Sequence, residues 1–111
     1  MTFTGELSPN MEYEIIIRPE AEKDLTEAFV WYEDKRRGLG FDFLLQVDAG
    51  LRFVARNPQI YAPAYKGTRK HIIKRFPYKI IYVVEERKII ILGVIHGRRS
   101  PDVMKKRIEE I

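Results

Sequence analysis

The first half of the chain opens with one short apolar run, followed by a segment whose apolar residues recur at helical spacing. The run covers residues 13–17 (YEIII), and its β-branched isoleucines favour a strand. Pro19, with the acidic residues after it, is typical of a helix N-terminus. The predicted apolar stripe of this first helix consists of Ala21, Leu25, Ala28, Phe29 and Tyr32.

A second helical stripe follows the glycine-containing segment KRRGLG, and Asn57-Pro58 ends it. Two helices joined by so short a turn predict an antiparallel hairpin. Trp31 lies off the first stripe; core packing is the favoured interpretation, with cover of the hairpin edge or contact with a partner as alternatives. The predicted members of the second stripe are Phe41, Leu44, Val47, Leu51, Val54 and Ala55.

The period then changes to that of strands, in the runs RKHIIKR (69–75), YKIIYVV (78–84) and IIILGVI (89–95). The short links between them predict antiparallel neighbours. Strict alternation in the second run places two sets of side chains on opposite faces: Tyr78, Ile80, Tyr82 and Val84 on one, and Lys79, Ile81 and Val83 on the other.

A short charged helix is predicted at the end of the chain, with Ser100 as its cap and Pro101 at its first position. The predicted order is β-α-α-β-β-β-α. This is an α+β domain in which an N-terminal strand and a three-stranded antiparallel meander carry a helical hairpin on one face. We expect residues 1–12 to be a flexible leader, with Met11 as an alternative start, and residues 13–111 to form a single domain.

Charge is distributed unevenly along the chain. Residues 1–68 carry 8 Lys and Arg against 11 Asp and Glu, whereas residues 69–111 carry 12 against 5, for a formal net charge of +4. A basic second half favours an acidic or polyanionic partner. A solvated face with lysines placed for solubility is the alternative.

The chain lacks the residues that several classes of chemistry require. The 111 residues include no cysteine, and the only histidines, His71 and His96, have no carboxylate at helical ligand spacing, so we expect no metal site and no cofactor. No P-loop, dinucleotide-binding turn or serine nucleophile elbow occurs, and the adjacent Glu85 and Glu86 give weak support for paired-carboxylate hydrolysis. No apolar run approaches the roughly 20 residues that cross a bilayer, so we expect a soluble, cytoplasmic protein.

The chemistry that remains is basic and polar. Arginine and lysine bind phosphates, and a metal-free ribonuclease needs such groups plus a proton donor and acceptor. His96 beside Arg98 is one candidate pair; alternatively His96 packs at a strand end and the arginines solvate a turn. Tyr61 and Tyr65 are candidates for stacking on bases, or else anchors of their loop. The candidate basic and polar positions on the sheet are Lys70, Lys74, Arg75, Lys79, His96, Arg98 and Arg99.

These segments together resemble the RelE/ParE superfamily of bacterial toxins. The resemblance runs from about Tyr13 to Arg107, through RPEAEKDL, the helix end NP, RKHIIKRFPYKIIYVV and ILGVIHGRRSPD. It implies the toxin of a type II toxin–antitoxin module, which arrests growth unless its cognate antitoxin covers it. The fold implied is a twisted antiparallel sheet with a helical hairpin.

The resemblance also implies two alternative mechanisms. RelE-like members cut ribosome-bound mRNA without metal, using basic residues of the sheet and a C-terminal tyrosine, whereas ParE-like members inhibit DNA gyrase. The family's two basic positions fall on Lys79 and Arg98, its first-strand basic residues match Lys70 and Lys74 loosely, and its tyrosine falls on Met104. Since methionine cannot donate a proton, the ParE-like branch is favoured.

Three hypotheses therefore stand. The first is a gyrase inhibitor that binds its target through basic residues of the C-terminal half. The second is an mRNA endoribonuclease with Arg98, Lys79 and His96 at the scissile phosphate, and the third is a non-toxic homologue that only binds antitoxin. The expected antitoxin segment is acidic and amphipathic and folds on binding. Further candidate residues for binding the target or phosphate are Arg75, Arg99, Lys105, Lys106 and Arg107.

Overall fold

The computed structural model describes residues 13–98 and 101–109. Its order, β-α-α-β-β-β-α, confirms the predicted α+β fold. The predicted leader, the start at Met11 and the cap at Ser100 lie outside the described residues. The elements are β1 (Glu14–Ile17), α1 (Pro19–Lys35), α2 (Leu39–Arg56), a 3-10 turn (Tyr65–Gly67), β2 (Arg69–Ile72), β3 (Tyr78–Glu85), β4 (Lys88–His96) and α3 (Pro101–Glu109).

The four strands form one sheet in the order β1-β4-β3-β2. β4 pairs antiparallel with β3, and β3 pairs antiparallel with β2, as the short links predict. β1 lies parallel to β4, and its last pair is Ile17 with Ile91. Among the described strands, the second half of β4 therefore has a neighbour on one side only, because the chain leaves β1 there to begin α1.

α1 and α2 form the predicted hairpin, and a side chain of α1 holds the turn between them. Gly38 adopts φ +88°, a conformation that costs little only for glycine. The carboxylate of Glu33 accepts the backbone N–H groups of Gly38 and Gly40 at 2.9–3.0 Å. Backbone donors at the start of α2 are thus satisfied from the preceding helix.

The hairpin packs on one face of the sheet, here called the hairpin face. The first predicted stripe is confirmed at its buried members, Phe29 being half-buried. The second is wrong at Phe41, which is 59% exposed, while Phe43 is fully buried against Tyr32, Phe76 and Tyr78. The buried side of α2 includes positions 43, 47, 51 and 54, and Phe41 lies on the opposite side of the helix.

The prediction that Trp31 packs in the core is also wrong. Trp31 is 55% exposed, because helical geometry turns it away from the buried stripe of α1, which is formed by Ala21, Leu25, Ala28 and Tyr32. Its ring touches Tyr32 edge-on at 5.0 Å, and Lys35 Nζ lies 4.8 Å from the ring centroid.

The opposite face of the sheet, here called the α3 face, carries a smaller apolar cluster of Ile81, Leu92, Ile95 and Ile108. A β-bulge in β4 decides which side chains belong to it. Consecutive residues Ile81 and Tyr82 of β3 pair with Gly93 and Ile91, so Leu92 is the extra residue. Ile89 and Ile91 precede the bulge and Val94 follows it on the hairpin face, whereas uninterrupted alternation would put Val94 on the α3 face.

Candidate functional site

A groove of about 950 Å³ runs along the α3 face between the loop before β2 and helix α3. We call it the basic groove, because Lys70, Lys79 and Lys105 line it and no acidic residue does so in the described part of the chain. Its apolar surface includes Ile81 and Ile72, and Ile72 on the edge strand is 71% exposed. The groove therefore combines apolar contact area with positive charge along its sides.

The two lysines on the sheet come from neighbouring strands. β2 and β3 pair so that Lys70 faces Ile81 and Ile72 faces Lys79. Burial lowers the pKa of the Lys79 ammonium, and the positive charge of Lys70 lowers it further. A carboxylate brought into the groove would favour the charged form of both lysines, since it supplies an opposite charge.

The loop wall of the basic groove is tied to the hairpin face. The Tyr61 hydroxyl lies 2.8 Å from Nδ1 of His71, whose ring stacks on Phe53 at 5.1 Å. The Arg69 guanidinium donates to the Tyr61 carbonyl at 2.6 Å. Tyr61 therefore anchors its loop, which is one of the two roles predicted for it. Tyr65 is exposed and donates to Glu109 of α3 at 2.6 Å.

The other wall, α3, is held by an ion pair that crosses to α1. The Arg107 guanidinium donates to both carboxylate oxygens of Asp24, at 2.7 and 3.0 Å. Asp24 also accepts the backbone N–H of Val94 at 3.0 Å, so its carboxylate occupies the side of β4 that has no strand. Gly93 leaves room for the pair, because a Cβ there would lie 3.0 Å from Arg107 Nη1.

The structure does not bring the three predicted catalytic residues together. His96 pairs with Tyr78 and its ring contacts the Tyr78 ring at 5.2 Å, so His96 lies on the hairpin face. Lys79 lies on the α3 face, opposite Ile95. The bulge at Leu92 causes the separation, because it inverts the alternation of every later residue of β4. Arg98 lies exposed in the turn after β4, where its N–H donates to His96 Nδ1 at 3.0 Å.

The remaining predicted residues are dispersed. Lys74 and Arg75 lie exposed in the β2–β3 turn, with the Arg75 guanidinium 4.0 Å from Asp42. Lys106 is exposed on α3, outside the groove. Arg107, a candidate for target binding, is engaged by Asp24, and any role at a target must accommodate that ion pair. Arg99 lies outside the described residues.

Asp24 was missing from the predicted site because its partners Val94 and Arg107 lie 70 and 83 residues away in sequence. An isolated aspartate in the first turns of a helix is usually explained by its favourable interaction with the helix dipole. Within residues 13–98 and 101–109, no cluster of three His, Asp or Glu side chains is arranged to hold a metal ion. No helix in this part of the chain is both long and apolar enough to span a bilayer.

The sheet with its hairpin, and the basic groove beside a short terminal helix, fit the class of toxin that the sequence resembles. The sequence model of the family described as ParE toxin of type II toxin-antitoxin system, parDE, matches residues 15–101. The chain therefore belongs to the ParE toxin family of type II toxin–antitoxin systems.

Individual relatives agree with this assignment. Toxin ParE2 from two strains of Mycobacterium tuberculosis is 32% identical over 88 residues, which covers 78% of this chain and 84% of the relative. Among solved structures, one described as the chromosomal ParDE TA system from P. aeruginosa superposes with a TM-score of 0.68. That match covers 78% of this chain and 97% of the other at 16% identity, which supports the fold alone.

Proposed function

We propose that this toxin arrests growth by inhibiting DNA gyrase, and that it does so by binding rather than by cutting RNA. The observation that carries the proposal is the separation of His96 from Lys79 onto opposite faces of the sheet. A metal-free ribonuclease requires its proton-transfer groups and its phosphate-binding groups at one scissile bond. Met104, at the position of the family's tyrosine, supplies no proton donor either.

The test uses the purified full-length chain in two assays run side by side. In a supercoiling assay with DNA gyrase, we expect supercoiling to fall as toxin is added. In a purified translation system, we expect ribosome-bound mRNA to stay intact. Lys106→Ala, which removes an exposed cation of α3 outside the groove, should weaken gyrase inhibition, whereas Arg98→Ala should affect it less.

Two outcomes would overturn the gyrase proposal. Cleavage of mRNA within codons, with gyrase unaffected, would establish the endoribonuclease alternative, with Arg98 and Lys79 as the residues to test next. Inactivity in both assays would favour a homologue that binds antitoxin without being toxic.

The basic groove supports a second element of the proposal, which is that the cognate antitoxin covers it with an acidic amphipathic segment. Apolar residues of a helix would lie on Ile72 and Ile81, and its carboxylates would pair with Lys70, Lys79 and Lys105. Coverage of a positive surface neutralises the toxin if that surface, or α3 beside it, engages the target.

Replacement of both sheet lysines tests this element directly. In Lys70→Gln with Lys79→Gln, we expect antitoxin affinity to fall about 100-fold at low salt, since two charge pairs across an interface are lost. Lys74→Gln is the matched control, because Lys74 is exposed nearby but does not line the groove. Equal affinity of the double variant and the control, measured by titration calorimetry, would place the antitoxin elsewhere.

A further inference from the structure

A second cleft, of about 480 Å³, lies on the hairpin face between α1 and the ends of β3 and β4. We call it the α1 cleft. Glu27 and Trp31 of α1 line one side, and Tyr78 and His96 line the other. Its polarity is opposite to that of the basic groove: acidic residues line it, and no lysine or arginine does so among the described residues.

The α1 cleft contains a length of strand edge. Residues 92–96 of β4, of which 93–96 pair with β3, have no strand of the described sheet on their other side. Asp24 and Arg107 cover this edge at Val94 and Leu92 through side-chain hydrogen bonds. His96, one further alternate position along β4, lies beyond that cover and within the cleft. An extended peptide adds readily to such an edge.

The side chains around this edge of β4 favour the binding of a cationic group. Glu27 is exposed and makes no ion pair within the described part of the chain, whereas Asp24 is already paired with Arg107. Trp31 presents an exposed indole ring that already attracts the ammonium of Lys35. A guanidinium is less strongly hydrated than an ammonium and stacks better on an aromatic ring. An incoming arginine would therefore compete well for the same ring.

His96 supplies a donor on the other side of the cleft. Its Nδ1 accepts the N–H of Arg98, so the proton of the neutral imidazole resides on Nε2. That N–H can donate to a carbonyl of a bound peptide. Strand edge, aromatic ring, carboxylate and donor thus lie around one cleft, each suited to a different part of an arginine-bearing strand.

We propose that the α1 cleft binds an extended, arginine-bearing peptide segment of a partner protein. The arginine replaces Lys35 over Trp31 and pairs with Glu27, while the peptide backbone follows the open edge of β4 near His96. The site lies on the face of the sheet opposite the basic groove, so the two can be occupied independently. The proposal does not depend on gyrase being the target.

Trp31 is the only tryptophan of the chain, so its fluorescence reports on this cleft alone. The probe is the peptide acetyl-Ser-Val-Arg-Val-Arg-Ser-amide, titrated into the full-length protein with excitation at a wavelength where tyrosine does not absorb. The reference peptide carries citrulline, which is close to arginine in shape but uncharged. We expect a saturable change in emission, with roughly tenfold weaker binding of the citrulline peptide.

Single variants assign the interaction to the cleft. Glu27→Gln should weaken binding of the arginine peptide by roughly tenfold, and Lys35→Gln should strengthen it because the competing cation is gone. Asp34→Asn is the matched control, since it removes an exposed carboxylate of the same helix that does not line the cleft. It should leave the affinity unchanged.

Three outcomes would overturn the proposal. The first is equal binding of the arginine and citrulline peptides. The second is equal loss of affinity in Glu27→Gln and Asp34→Asn, which would indicate a diffuse charge effect. The third is an emission change that depends on protein concentration without peptide, which would make a second copy of this chain the occupant.

Discussion

The two faces of the sheet are built on different principles. The hairpin face buries a large aromatic and aliphatic core, in which Phe43 and Tyr82 are fully inaccessible to solvent. The α3 face has a small apolar cluster, lysines at its margins and a nine-residue helix that carries mostly charge. An isolated helix of this length is not stable in water, so α3 depends on its contacts with the sheet.

The contrast between the faces shows how a small domain combines stability with a binding surface. Apolar area buried on one side stabilises the sheet, so the other side can leave apolar residues and lysines accessible to a partner. Within the described residues, two side-chain contacts join the faces, here called the first and the second joint: the Asp24–Arg107 ion pair and the His71–Tyr61 hydrogen bond. We therefore expect substitutions in the core to lower stability most and a substitution at the first joint to lower it less. Titration of His71 should have the smallest effect.

The largest effect is expected from Phe43→Ala. Because Phe43 is fully buried among three aromatic rings, truncation leaves a cavity and should lower the free energy of unfolding by about 4 kcal/mol. Met104→Ala on the α3 face, at a half-buried position, should cost about 1 kcal/mol. Urea denaturation followed by circular dichroism measures both. Similar losses in the two variants would refute the claim that the hairpin face dominates stability.

A smaller effect is expected at the first joint, from Asp24→Asn. The amide oxygen can still accept the Val94 N–H, but the half-buried Arg107 guanidinium loses the charge of the Asp24 carboxylate, at a cost of about 3 kcal/mol. Asp34→Asn, an exposed position on the same helix, should change stability by less than about 0.5 kcal/mol.

Hydrogen exchange distinguishes a local effect at the Asp24–Arg107 pair from a loss of stability in the core. In Asp24→Asn we expect the amides of α3 to exchange faster than those of α2, since α3 loses its attachment while the hairpin keeps its core. A uniform increase in exchange across both helices would mean that the ion pair stabilises the whole domain, and that α3 is no separate unit.

Periodicity predicted the elements of this fold well because each was strongly patterned over its own length. Helical spacing located both helices of the hairpin, and short polar links gave the antiparallel neighbours. The error at Phe41 arose where two phenylalanines flank one position of the same turn. Only the burial of Phe43 against Tyr32 shows which of them faces the sheet.

The candidate site was harder to predict because it depends on features without a local signature. The bulge at Leu92 leaves the sequence IIILGVI looking like an unbroken strand, although it transfers His96 to the other face. The Asp24–Arg107 pair joins residues far apart in the chain, and nothing near either one marks its partner. By contrast, Lys70 and Lys79 were predicted on neighbouring strands, and they do share one groove.

The smallest effect is expected at the second joint, where stability should depend on the protonation of His71. Burial lowers the pKa of His71 below its usual 6.5, and the nearby positive charge of Lys74 lowers it further. Because the unfolded chain then binds a proton more readily than the folded one, the contribution of His71 is fully present above pH 6.5 and is lost as pH falls below it. We expect the free energy of unfolding to decrease between about pH 7.5 and about pH 5.5.

His71→Phe should reduce this decrease, since phenylalanine keeps a ring beside Phe53 and does not titrate. Lys74→Gln should reduce it less, because burial, the larger cause of the lowered pKa, remains. Urea midpoints at the two pH values, compared with those of the unsubstituted protein, measure the change in each variant. An unchanged pH dependence in His71→Phe would mean that His71 does not link the loop wall of the basic groove to the hairpin face through its neutral form.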